Sequence, residues 1–170
     1  MCNKRQEGIF TIDKGLALHQ DIRPLRILIL NLMPLKKPTE LQLLRLLGDS
    51  PLQVEVDFCH TDSHESTHTD PSYLEENYYV FDEIKDNYYD GFIITGAPVE
   101  QIPFESVDYW PEMKTYFEWA KTHAFSTLHF CWGAQAALYY YYGIEKRLLP
   151  AKLFGIFEYQ LTQKHHPLLR

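Results

Sequence analysis

With 170 residues, 45% of them hydrophobic, the chain has enough apolar side chains for one ordinary α/β core, and no linker or repeat marks a second domain. Sixteen Lys and Arg stand against 23 Asp and Glu, a formal net charge of −7, so no chain-wide basic field is available to hold nucleic acid or an anionic membrane surface. Cys2, Cys59 and Cys131 form no Cys-x-x-Cys pair for zinc or redox chemistry. No apolar run reaches about 18 residues and the start is polar, so a cytoplasmic chain is expected, without a membrane span or a leader.

Residues 1–22 read as an N-terminal extension. Leu25 to Leu32 is a nearly continuous aliphatic run, the pattern of a parallel strand covered on both faces. Pro38 and Thr39 then supply a helix start, Leu41, Leu44 and Leu47 recur at helical spacing, and Gly48 ends the pattern. Gln53 to His60 predicts a second strand, alternating Val54, Val56 and Phe58 with polar partners. Thr61 to Pro71 is rich in Thr, Ser, His and Asp without periodicity, which predicts a loop at a functional edge. His60, His64 and His68 share a tempting spacing there, but side chains in a polar loop are expected to be solvated, and no metal site is assigned.

Asp90 to Gly96 predicts another short buried strand, turned by Ala97-Pro98. Tyr109 to His123 predicts a helix opening on Trp110 and Pro111, with Met113, Phe117 and Ala120 on one side. Ser126 to Phe130 is the next strand, followed by a helix whose end, Tyr139 to Tyr142, is expected to wedge against its neighbours. Strand and helix alternate, which argues for a doubly wound parallel sheet with its site at the carboxyl ends of the strands.

The run Ser126-Thr-Leu-His-Phe-Cys131-Trp-Gly-Ala-Gln-Ala-Ala-Leu138 reads as a nucleophile elbow. A strand turning sharply into a helix leaves one side chain at the tip, and Gly133 and Ala134 lack the bulk to block the return. The Cys131 thiol would then stand near a helix N-terminus, which favours a thiolate. The plainer reading of a lone cysteine at a strand end is a small core hydrophobe. Three loops would gather at the same edge: Asn31 to Lys36, Thr95 to Glu100, and Cys131-Trp-Gly. There the backbone N–H groups of Gly96 and Trp132 are candidate donors to a tetrahedral oxygen. Lys36 would add positive charge, or lie solvated beside Lys37. His129, two residues before the cysteine, is expected to be buried and hydrogen-bonded.

Arg23-Pro-Leu-Arg-Ile-Leu-Ile-Leu-Asn-Leu-Met-Pro34, Arg45-Leu-Leu, Ser50-Pro-Leu-Gln-Val54, Thr95-Gly-Ala-Pro98, Tyr109-Trp-Pro111 and Cys131-Trp-Gly-Ala-Gln-Ala-Ala-Leu138 together resemble the MetA-type homoserine O-acyltransferases, from about Ile22 to Glu158. The resemblance implies a flavodoxin-like fold similar to class I glutamine amidotransferases. It implies methionine biosynthesis through an activated homoserine ester, L-homoserine and acetyl-CoA as substrates, and no tightly bound cofactor. It makes Cys131 the acyl-thioester nucleophile and sets Lys36 near the reacting centre. Lys152, in Ala151-Lys-Leu-Phe-Gly155, becomes a holder of the amino-acid substrate. Glu100 falls where family members differ with acyl donor, glycine going with succinyl-CoA and glutamate with acetyl-CoA; its charge would stand where a succinyl carboxylate must lie.

The family's general base is a histidine in a Gly-His-Pro-Glu context, which does not occur in these 170 residues. His165 and His166 precede Pro167 without a glutamate partner and are not assigned that role. Without a base the transfer loses about 10²–10⁴ in rate. Residues 23–170 are thus expected to be the N-terminal portion of one acyltransferase domain, truncated at the C-terminus, with exposed apolar surface. Succinyl transfer, serine as acceptor, glutamine amide hydrolysis, and an inactive remnant or binding module stand as alternatives, and a homodimer is left open.

Overall fold

The computed structural model describes residues 8–9, 23–64 and 68–161. In chain order they form β1 (Leu25–Leu30), α1 (Lys36–Gly48), β2 (Val54–Cys59), α2 (Pro71–Asn77), α3 (Phe81–Ile84), β3 (Tyr89–Ile94), a 3-10 turn (Phe104–Ser106), α4 (Trp110–His123), β4 (Ala124–His129) and α5 (Trp132–Tyr142). The four strands make one parallel sheet in the order β2-β1-β3-β4. The chain first steps outward from β1 to β2, then returns past β1 to β3 and β4. Because parallel crossovers are right-handed, the reversal sends α1 to one face and α4 to the other. The result is an α/β domain consistent with a flavodoxin-like fold, and its switch point, between β1 and β3, opens a crevice at the strand carboxyl ends.

Leu28, Ile29 and Leu30 are fully buried, both parities together, which is why the first aliphatic run does not alternate. On the α4 face, Leu30, Phe92 and Ile94 pack with Met113, Tyr116 and Phe117, and with Trp132 and Ala136 of α5. Each large side chain removed from water there contributes about 1.5–3 kcal/mol before entropy is counted. Tyr139 stacks on Phe104 with ring centroids 4.6 Å apart and Tyr140 on Phe117 at 5.1 Å, whereas Tyr142 is exposed, so the tyrosine block is wedged only up to its last residue.

Several elements differ from the sequence expectation. Helix α1 begins at Lys36, ahead of Pro38, because a proline in the first turn has no intrahelical N–H bond to lose. At the end of the Thr61 to Pro71 loop, Asp70 accepts hydrogen bonds from the N–H and hydroxyl of Ser72 and starts α2, and α3 follows, over a stretch where the sequence predicts no element. Strand β4 begins at Ala124, directly after α4. It is an outer strand, with Phe125 93% and Leu128 51% exposed, as the expectation of exposed apolar surface requires. Residues 152–157 lie in neither helix nor strand and are exposed, and His165 and His166 lie outside the described residues. No helix among the described residues is long and apolar enough to cross a membrane.

Candidate active site

Strand β4 ends on a turn whose apex is Cys131, with φ 49° and ψ −120°, the one non-glycine residue at positive φ among those described. An L side chain reaches that conformation at a cost of about 1–3 kcal/mol. The turn is held on both sides. Phe130 N–H donates to Ile94 C=O at 2.9 Å, and the Cys131 carbonyl accepts from Ala134 and Gln135 N–H at 3.1 and 3.2 Å, opening α5. The thiol is exposed at the apex. The plainer fate of a lone cysteine falls instead to Cys59, whose thiol is fully buried, pushed well above its ordinary range by desolvation, and 3.6 Å from Ile29 C=O.

The end of β3 meets this turn backbone to backbone. A Cβ on Gly96 would stand 2.9 Å from Cys131 Cβ, 3.3 Å from its Sγ and 3.7 Å from Trp132 N, so a side chain at 96 would displace the thiol. A Cβ on Gly133 would come within 2.6 Å of Thr95 C=O. The end of β1 is tied in as well: Thr95 N–H donates to Leu30 C=O at 3.1 Å and Leu32 N–H donates to Thr95 Oγ1 at 2.8 Å. Gly96, Cys131 and Trp132 N–H are therefore brought to one point.

Lys36 lies at the same end of the sheet and is buried, not solvated beside Lys37. Its ammonium donates to Asn31 C=O and faces the Tyr78 ring at 5.9 Å. Desolvation pulls it down to about 8, against the attraction of Cys59 and Glu40. A polar network around it was not legible in the sequence: Asn31 Nδ2 donates to the Tyr78 hydroxyl at 2.8 Å, and Tyr78 and Tyr73 donate to the two Glu40 carboxylate oxygens at 2.7 and 2.6 Å. The one signal was the four-residue spacing of Lys36 and Glu40 on α1. Lys36 also lines a cleft of about 370 Å³ with Met33, Pro98, Val99 and His64.

Of the histidines, His129 is only half-buried, and its Nδ1 is shut away from solvent without a hydrogen-bond partner among the described residues, its ring centroid 6.0 Å from that of Phe117 on α4. Burial lowers its pKa. His60 is half-buried against Tyr78, not solvated, with its Nδ1 3.0 Å from Thr61 C=O, and burial lowers it too. His64 Nδ1 lies 2.6 Å from Asp108 Oδ2. Among the described residues no group of three or more His, Cys, Asp or Glu side chains is arranged to hold a metal ion. Glu100 stands in the turn after β3 and lines a second cleft, of about 470 Å³, with Gln135, one helical turn beyond Cys131. Lys152 is not brought into the cluster; it is exposed after α5, with its ammonium 5.8 Å from the Phe154 ring centroid.

Fold and site together define a parallel α/β domain that presents one cysteine on a strained strand-to-helix turn, backed by a glycine loop. Residues 3–170 match the model of the homoserine O-succinyltransferase family, and the chain belongs to that family. It is similar to proteins named homoserine O-acetyltransferase from Agathobacter rectalis, 57% identical over 97% of this chain and 53% of the relative, and Lachnoclostridium phytofermentans, 56% over 97% and 55%. One of that name from Streptococcus mutans is 55% identical over 98% of this chain and 53% of the relative. The chain thus spans about half the length of the curated relatives it matches.

Proposed function

We propose that this chain carries the nucleophile portion of a homoserine O-acetyltransferase, arranged as in class I glutamine amidotransferases. The Cys131 sulfur attacks the thioester carbonyl of acetyl-CoA, and the oxygen that takes up the charge faces the N–H groups of Gly96 and Trp132. Collapse expels the CoA thiolate, which takes up a proton, and leaves acetyl on Cys131. The homoserine hydroxyl then attacks that thioester, loses its proton to a base, and departs as the acetyl ester while the Cys131 sulfur is released. The base is proposed to be the histidine of the Gly-His-Pro-Glu context the family carries. His129 is a poor substitute, since desolvation disfavours its protonated form.

The observation that carries the reading is the backbone of Gly96 pressed against Cys131 at the apex of a strained turn, which a cysteine kept only for packing does not need. Lys36, held by Asn31, adds a cation at the same end of the sheet, and Lys152 is proposed to bind the homoserine carboxylate. Glu100 favours acetyl over succinyl, because a carboxylate beside the acyl site repels a second one. The relatives' shared name supports the same donor.

Intact-mass spectrometry of the chain after exposure to acetyl-CoA, then homoserine, tests this. An acetyl adduct mapped to Cys131, discharged by homoserine and absent with Cys131→Ala, is expected. Transfer of acetyl to homoserine at the parent rate by Cys131→Ala would overturn it.

A further inference from the structure

Among residues 142–161, Lys146 alone is not exposed. Its side chain reaches back across the loop after β3. There Ile102 N–H donates to Val99 C=O at 3.2 Å, closing a turn whose two central residues are Glu100 and Gln101. The Lys146 ammonium donates to Val99 C=O at 3.3 Å and also to Ile102 C=O, so one cation holds both ends of that turn. It rests over the Phe104 ring, 4.5 Å from the centroid, and Phe104 in turn stacks on Tyr139 of α5, the helix that starts at the elbow. Burial lowers the Lys146 pKa and the Glu100 carboxylate counters it, which puts the two charges within electrostatic reach. Both side chains line the cleft that Gln135 shares.

We propose that Lys146 is a positioning residue for acyl-donor choice. By clamping the two carbonyls that bracket Glu100 and Gln101, it fixes the Glu100 carboxylate toward the cleft it shares with Gln135, one helical turn beyond Cys131, where it repels a donor ending in a second carboxylate. The inference rests on the donor role proposed above for Glu100. It assigns a function to the stretch after α5 that the helix and strand pattern does not reveal. Lys146 itself touches no reacting atom; without its ammonium the turn keeps one hydrogen bond across its neck and Glu100 is free to swing away.

The test compares the parent chain with Lys146→Met, which keeps the stem and removes the charge, Lys146→Arg, which keeps a cation with several donors, and Glu100→Gly. For each, the rate of Cys131 acylation by acetyl-CoA and by succinyl-CoA is followed by intact mass. Hydrogen exchange is followed at the Ile102 amide. The expected result is that Lys146→Met lowers the acetyl-to-succinyl preference about ten-fold and speeds Ile102 exchange by a similar factor, while Lys146→Arg stays within about two-fold of the parent in both. A packing role alone would slow both donors equally and leave the ratio unmoved. If Glu100→Gly erases the preference but Lys146→Met keeps the parent ratio, the clamp is wrong and the donor reading stands. If Glu100→Gly also keeps the parent ratio, the donor reading fails and this inference falls with it.

Discussion

At the scale of single residues the chain separates two cysteines by geometry. Cys59 is sealed in the core, and Cys131 is lifted to an exposed apex at positive φ. If that backbone is strained, glycine at 131 relieves what alanine cannot. Cys131→Gly is therefore expected to unfold in urea with a free energy about 1 kcal/mol higher than Cys131→Ala, with neither variant acylated. Equal midpoints would show an unstrained turn. Lys36 makes a second prediction, in pH. Burial holds its ammonium at about 8, against 10.5 for a free lysine. Below pH 8 both folded and unfolded chains are charged at this site, and the fold carries the whole desolvation cost. Between about 8 and 10.5 the unfolded chain keeps a proton that the folded one has released, so stability rises with pH across that window. Relative to Lys36→Met, the parent is expected to gain about 2 kcal/mol between pH 7 and pH 10 in matched urea titrations. A flat difference across the window would place the Lys36 charge in water.

Between elements the decisive contact is the close approach of α5 to the end of β3. With Thr95 C=O 2.6 Å from where a Gly133 Cβ would stand, even alanine must push helix and strand apart, and the obstacle is backbone, which does not rotate away. Gly133→Ala is expected to destabilise by about 2 kcal/mol and to slow Cys131 acylation, read by urea unfolding and intact mass on the same preparation. This contact also explains why so much of the site was legible in the sequence. The aliphatic runs from Leu25 and Asp90 and the small residues after Cys131 are imposed by a parallel sheet that meets its own helix at backbone distance. Other parts were not legible, for physical reasons. Helices α2 and α3, of 7 and 4 residues, are too short to carry a 3.6-residue period, so the sequence predicts no element over their segment. The burial of Lys36 depends on Asn31, Tyr78 and Glu40 meeting from three elements, and no local pattern encodes that. Lys146 carries no local signal at all, because its partners are main-chain carbonyls more than 40 residues away. The missing hydrogen bond of His129 has a similar root: its ring lies near Phe117 of α4, a side chain with no polar atom, and that neighbour is set by packing between elements.

Across the whole molecule, apolar surface is distributed unevenly. Strands β1 and β3 lie inside the sheet with their central side chains sealed, while β4 has a neighbour on one side only among the described residues and leaves Phe125, Leu128 and Phe130 exposed. The irregular stretch after α5 adds Leu148, Leu153, Phe154 and Ile156, all more than two-thirds exposed. An unpaired parallel edge offers a row of N–H and C=O groups, and beside it stand side chains that gain by leaving water; together they form a template for pairing with another strand. The net charge of −7 opposes association only weakly at physiological salt, where screening acts over about 8 Å. The purified 170-residue chain is therefore expected to self-associate, its sedimentation coefficient rising with concentration. Raising the salt should increase association, since it screens the repulsion and leaves the apolar contact in place. Phe125→Lys with Leu128→Lys, which sets two positive charges along the edge, should return the chain to a monomer without altering α4 or the elbow. If the double variant associates as strongly as the parent, the contact lies on the stretch after α5, and charges placed at Phe154 and Ile156 should abolish it instead. A parent chain that stays monomeric at all concentrations and salts would show that these side chains are covered from within the chain itself.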